Sequence, residues 1–283
     1  MKLKSGSRKK PSQTRQVGSW GFDPTAPSHA KLPFAHVVAG YERAIFLGSF
    51  LESARVPSVT DVEIAVCFAD LRGFTKYVNA LQANWQDRRV QEFLGAYFQI
   101  YPKAVLENVY ALEPGEGGEI SRYAQHVRRM IVPSMFKTLG DGMMLVWELS
   151  GESEAQDKVA ASILQTVAAI QRFFRRLVAE QAGGATKPYA TAVRTLRLGF
   201  GLARGHAWRL DFGPQRSVDY AGTIVNLAAR LQDLARPEGV VAEVGFCDPV
   251  FRRSAGQRAR VTSLKGIGQP VNLWASANVK LDA

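Results

Sequence analysis

Two carboxylates in this sequence stand where neighbouring strands would bring them together. Asp70 follows an apolar, β-branched run from Val62 to Ala69, and Asp141 lies inside Gly140-Asp141-Gly142, between the short apolar runs Met135 to Leu139 and Met143 to Trp147. Taken singly, Asp70 reads as a turn residue after a strand, and Asp141 as the Asp-Gly of an ordinary hairpin. On adjacent strands the two have a joint chemistry. Converging carboxylates beside water and phosphate oxygens form an all-oxygen site that suits magnesium or manganese. The four histidines, His29, His36, His126 and His206, are scattered without ligand spacing, so zinc has no support.

If the metal's partner is a triphosphate, the chain must hold it without a glycine-rich loop ending in Gly-Lys-Ser/Thr, because no such loop occurs. Gly73-Phe74-Thr75 offers amides leading into a helix, which can take phosphate oxygens. Asn226 and Arg230 are four apart on a predicted helix, which sets an amide and a guanidinium on one face.

These residues need a scaffold, and the apolar pattern predicts one. Val62 to Ala69 is a buried strand followed by a turn at Asp70 to Gly73; Val90, Leu94, Tyr97, Tyr101 and Val105 recur at helical spacing, with Pro102 expected to kink or shorten the helix. The runs around Gly140-Asp141-Gly142 form a tight hairpin. Ser153 and Gln156 open a helix that runs to Gly183-Gly184. Leu196 to Leu202 alternates as a strand, with a partner from His206 to Phe212. A helix over Ile224 to Ala235 follows, with short strands near Val240 to Glu243, Val261 to Leu264 and Val271 to Trp274. The order predicts an α+β fold, helices against a mixed sheet.

Three segments stand apart. Residues 1–34 are a basic tail, with Lys2, Lys4, Arg8, Lys9, Lys10 and Arg15 ahead of the first acidic residue, Asp23. Residues 35–58 carry one amphipathic helix, and 59–283 the main domain, with 119–134 as an insertion that fits neither period. The tail accounts for much of the net charge of +11 and reads as a solvated arm rather than a nucleic-acid site. No apolar stretch near the start approaches the ~20 residues of a bilayer span, and the polar, proline-punctuated start is not a signal peptide. A cytoplasmic protein without a membrane anchor is expected. Two cysteines give no disulfide framework, and Cys67, inside an apolar run, is expected to be a buried, inert thiol.

Three segments are similar to the three signatures of class III nucleotidyl cyclase domains, in the family's order. They are Phe68-Ala69-Asp70-Leu71-Arg72-Gly73-Phe74-Thr75, Phe136-Lys137-Thr138-Leu139-Gly140-Asp141-Gly142-Met143-Met144, and Asp219-Tyr220-Ala221-Gly222 leading to Asn226-Leu227-Ala228-Ala229-Arg230-Leu231. The resemblance spans roughly Val62 to Trp274 and implies a ferredoxin-like class III cyclase fold, with a mainly antiparallel mixed sheet. It implies that a nucleoside triphosphate is closed to its 3',5'-cyclic monophosphate with release of pyrophosphate. Asp70 and Asp141 would hold two divalent ions, manganese or magnesium, with the carbonyl of Leu71 assisting. Phe74 and Thr75 would lie against the substrate phosphates, Asn226 would position the ribose, and Arg230 would stabilise the transition state. The family's sites lie between subunits, so a homodimer with two interfacial active sites is implied.

By the same resemblance, Lys137 and Asp219 occupy the base-reading positions. An ammonium donor beside a carboxylate acceptor suits adenine and opposes guanine, but cytosine and uracil each also present one donor and one acceptor. Thr223 where an aspartate is usual, Trp147 at the hairpin and the 119–134 insertion depart from an ordinary adenylate cyclase. A short, stand-alone cyclase with Asp-Tyr-Ala-Gly before its Asn/Arg helix resembles the pyrimidine cyclases of the Pycsar antiphage systems. Those make cUMP or cCMP for a downstream cyclic-nucleotide-binding effector. The other readings are an adenylate cyclase and a catalytically dead module that binds nucleotide or RNA, against which the joint presence of both carboxylates, Asn226, Arg230 and Lys137 argues.

Overall fold

A computed structural model describes residues 58–82, 87–111, 131–150, 153–183, 185, 187–212, 218–261 and 264–281. The chain divides into two units, 1–55 and 56–283, and the described residues all belong to the second. The expected basic tail lies outside them, as does the expected helix over 35–58 except for Ser58, which opens the first strand.

Among the described residues eight strands form one sheet: β1 (Ser58–Arg72), β2 (Met135–Leu139), β3 (Gly142–Leu149), β4 (Arg197–Asp211), β5 (Val218–Ala221), β6 (Gly239–Glu243), β7 (Gly256–Val261) and β8 (Val271–Ser276). Their order is β2-β3-β1-β4-β6-β8-β7, with β5 paired to β4 beyond the end of β6. The β4–β6 pair is parallel and the others are antiparallel. The helices are α1 (Phe74–Gln82), α2 (Asp87–Ala111), α3 (Ser153–Ala182), α4 (Lys187–Arg194), α5 (Thr223–Leu234) and the short α6 (Asp248–Phe251).

Successive strand residues point to opposite faces, and β1 feeds a separate core on each. Ala65, Cys67, Ala69 and Leu71 pack with Tyr97, Ile163, Phe174 and Val193 from the helices α2, α3 and α4. Ile64 and Val66 pack on the other face with Leu227 and Leu231 of α5. A strand covered on both sides reads as a continuous apolar run, as Ile64 to Cys67 does. The Cys67 thiol is fully buried, and that burial pushes its pKa far above the ordinary thiol range. The buried position agrees with expectation, and the raised pKa disfavours the reactive thiolate.

The predicted architecture holds, with local corrections. Strand β1 continues through Arg72 instead of turning at Asp70. Helix α2 runs on past Pro102 to Ala111, because burial of Tyr97, Tyr101, Ala104 and Val105 outweighs the lost amide. Leu196 to Leu202 and His206 to Phe212 are not partner strands but one strand, β4, which pairs along its whole length with β1. The strand expected at Val261 to Leu264 instead ends at Val261. Of the expected insertion, 119–130 lies outside the described residues. Its end is integrated, with Ile131 buried and its carbonyl accepting the Trp147 indole N–H at 2.9 Å.

Candidate active site

The antiparallel register of β1 and β3, which pairs Ala69 with Met143, brings Asp70 to the hairpin turn that carries Asp141. Gly142 makes the approach possible. A Cβ there would lie 3.0 Å from the Ala69 carbonyl oxygen and 3.9 Å from Asp70 Oδ1, so glycine keeps open the space beside the carboxylate. Gly140 supplies the left-handed turn residue, at φ 68°.

The two acids are electrostatically coupled. Partial burial pushes the Asp141 carboxyl above its usual range; a backbone hydrogen bond opposes this, the charge of Asp70 reinforces it, and Arg72 offsets part of it. Arg72 Nη1 lies 3.0 Å from Asp70 Oδ2, and Arg72 Nη2 donates to the Gln232 carbonyl of α5 at 2.5 Å. The guanidinium thus ties Asp70 to the helix across the sheet face. Among the described residues Asp141 has no ion-pair partner.

Hard carboxylate oxygens, two acids of which only Asp70 has an ion-pair partner among the described residues, and a gap that a Cβ would fill suit a divalent cation. Among the described residues no group of three or more His, Cys, Asp or Glu converges, so water, phosphate or main-chain oxygens would have to complete any coordination. The Leu71 side chain is buried in the core of the opposite face, which leaves only its carbonyl for such a role. Beyond it, Gly73 at φ 81° turns the chain into α1, whose first-turn amides, at Phe74 and Thr75, have no intrahelical partner. The Phe74 ring packs near Tyr77, and Thr75 is exposed.

The structure joins a second pair, Lys137 of β2 and Asp219 of β5, with Nζ 2.6 Å from Oδ2. Both side chains are about one-third exposed, at 33% and 35%, so a ligand can reach them. The other carboxylate oxygen of Asp219 accepts the Tyr220 N–H at 2.9 Å, and the Tyr220 hydroxyl donates to Glu148 at 2.6 Å. Donor and acceptor are therefore held in place by the protein's own bonds.

The third group lies on α5. Asn226 is exposed one turn before Arg230, whose Nε donates to the Lys265 carbonyl at 3.2 Å and whose Nη1 lies 3.6 Å from Asp233. No ion pair or hydrogen bond among the described residues joins Arg230 to Asp70 or Asp141. Within one chain, Asp70 is brought to Asp141, Lys137 to Asp219 and Asn226 to Arg230, but the carboxylates are not linked to the arginine.

Sequence reasoning missed Arg72 as a positioning group, since β1 was expected to end before it. The signal was the two-residue spacing from Asp70, which sets both on one face. It also missed a buried hydroxyl pair, Tyr97 and Tyr101, 2.5 Å apart; burial raises both pKa values, and the charge of Asp70 adds to each.

Among solved structures, the chain is similar to the adenylyl cyclase CyaB from P. aeruginosa, with a TM-score of 0.54, 20% identity, and coverage of 79% of this chain and 97% of that one. It is similar to the guanylyl cyclase Cya2 with a TM-score of 0.54, 20% identity, and coverage of 80% and 96%. No family model and no curated protein matches the sequence. The fold is that of the class III cyclase catalytic domain, an α+β arrangement with a mainly antiparallel sheet.

Proposed function

We propose that this chain is a class III nucleotidyl cyclase, converting a nucleoside triphosphate to its 3',5'-cyclic monophosphate and pyrophosphate. The observation that carries this is the set of three arrangements on a cyclase fold: Asp70 beside Asp141, Lys137 on Asp219, and Asn226 one turn from Arg230. A fold alone hosts many functions, so the reading rests on these residues.

Asp70 and Asp141 would hold two divalent ions, with the Leu71 carbonyl as a further donor. When bound, such ions supply Lewis acidity to the ribose 3'-oxygen and neutralise the phosphates. Arg72 restrains the Asp70 carboxylate from the side. The first-turn amides of α1 meet phosphate oxygens. Lys137 and Asp219 present a donor and an acceptor to one edge of the base, Asn226 holds the ribose, and Arg230 meets negative charge as it develops at the α-phosphate. Since Arg230 has no link to the carboxylates within one chain, a second copy would supply it, as in a symmetric dimer with two interfacial sites.

For the base, we propose a pyrimidine, giving cUMP or cCMP as a messenger for a separate effector in antiphage defence, with adenine as the second candidate. The donor–acceptor pair fits all three bases. The test is incubation of the purified protein with manganese and each ribonucleoside triphosphate in turn, with products identified by mass spectrometry. Cyclic UMP or CMP is the expected product. Cyclic AMP alone would overturn the pyrimidine assignment, and no product from any substrate would count against the cyclase reading.

A further inference from the structure

An open cavity of about 920 Å³ lies where the end of α5, the start of β4 and strand β7 meet. Five cations line it, Arg72, Arg197, Arg236, Arg260 and Lys280, against a single carboxylate, Asp233. That carboxylate already faces Arg230 at 3.6 Å. Arg72 is satisfied on one side by Asp70, although its buried Nε has no hydrogen-bond partner, and Arg197 is 3.8 Å from Glu238, which Arg175 also approaches at 3.6 Å. Among the described residues, Arg236, Arg260 and Lys280 have no carboxylate within ion-pair distance. The charge of Arg236 is felt at Arg72 and, after burial, disfavours the Arg72 cation.

The backbone that presents these cations is fixed. The Lys280 N–H donates to the Arg236 carbonyl at 2.8 Å, and the Gln257 side chain donates to the Val279 carbonyl at 2.7 Å. Like charges held around a concave surface repel one another, and the field they focus there attracts an anion that several of them can share. A single small anion would leave much of this charge unmatched, whereas a chain of phosphates spans it. The volume is within the range of small-molecule sites.

We infer that this cavity binds a small polyphosphate, either free pyrophosphate or the phosphate chain of a nucleotide. The inference is independent of the cyclase reading, because it requires neither metal nor turnover.

The experiment is titration calorimetry in divalent-free buffer with inorganic pyrophosphate and, separately, with UTP. The proteins are the full chain, the double variant R260Q/K280Q and the charge-retaining R260K/K280R. Wild type should bind pyrophosphate saturably at one site per chain, more weakly as salt is added. R260Q/K280Q should lose about tenfold or more in affinity, and R260K/K280R should retain it. UTP binding with the same variant sensitivity identifies a nucleotide's phosphates as the occupant, and binding of pyrophosphate alone identifies the free anion. No saturable binding to wild type, or equal affinity in R260Q/K280Q with an unchanged melting temperature, would overturn the inference.

Discussion

The ammonium of Lys137 lies 2.6 Å from a carboxylate oxygen of Asp219, joining the hairpin to the short strand that precedes α5. Because both partners are partly solvated, the pair contributes little to folding, of the order of 1 kcal/mol or less. Its value would then lie in ligand recognition. Lys137→Met is expected to leave the melting temperature nearly unchanged while raising KM about tenfold or more, with a smaller effect on kcat. A large fall in melting temperature with unchanged KM would make the pair structural.

Asp141 is partly buried beside another carboxylate, so its charge is unfavourable in the metal-free chain. Asp141→Asn should therefore raise the melting temperature slightly in metal-free buffer, and remove the further rise that manganese gives to wild type. Turnover should fall roughly 10²- to 10⁴-fold. A variant as responsive to manganese as wild type would exclude Asp141 as a ligand.

Much of this site was legible in the sequence because its motifs are local. The β2–β3 hairpin, Met135 to Leu149, and the Asn226/Arg230 helix, Thr223 to Leu234, are each one short continuous segment, and the pairing of Asp70 with Asp141 follows from strands becoming neighbours. What was not legible depended on distant packing. The end of β1 was misjudged because Arg72 is stabilised by Asp70 and by the Gln232 carbonyl of α5, 160 positions away. Helix α4 and strand β5 are too short for periodicity to reveal. Strand β4 was split in two between Leu202 and His206, where the apolar alternation lapses, and only its pairing with β1 along the whole length shows it to be one strand.

Gly201 of β4 is a contact point with α5. A Cβ on Gly201 would lie 2.1 Å from the Ala228 carbonyl oxygen and 2.2 Å from the Gln232 nitrogen, both backbone atoms of α5. Gly201→Ala is expected to push α5 off the sheet at a cost of roughly 3 kcal/mol or more, seen as a large loss in denaturant midpoint. An unaffected midpoint would contradict this close packing.

Glu243 offers a pH test away from the site. Burial raises its pKa, and a backbone hydrogen bond from Gly245 and the charge of Arg204 only partly offset this. A carboxyl with a raised folded-state pKa destabilises the protein when ionised, and the penalty fades as pH falls through that raised value toward the ordinary 4.5. Glu243→Gln should be more stable than wild type at pH 7, with the gap closing towards pH 4. Arg204 keeps its other partners, Asp157 at 2.7 Å and Glu63 at 3.6 Å, so the substitution does not strand it. Denaturant melts of both proteins across this range decide it, and a gap that widens as pH falls would reverse the sign.

The separation of Arg230 from the carboxylates allows the most direct test of an interfacial site. Arg230 is held by Lys265 and Asp233, and Asp70 by Arg72, with no bond between the two groups. If each site takes its carboxylates from one chain and its arginine from the other, Asp70→Ala and Arg230→Ala should each abolish activity alone. In a heterodimer of the two, one site receives both lesions and the other receives none. An equal mixture that reassorts freely should then recover about a quarter of wild-type activity, since half the dimers carry one intact site of two. Tagged chains purified as heterodimers should reach about half. Inactive heterodimers of verified composition would instead require both groups to act within one chain.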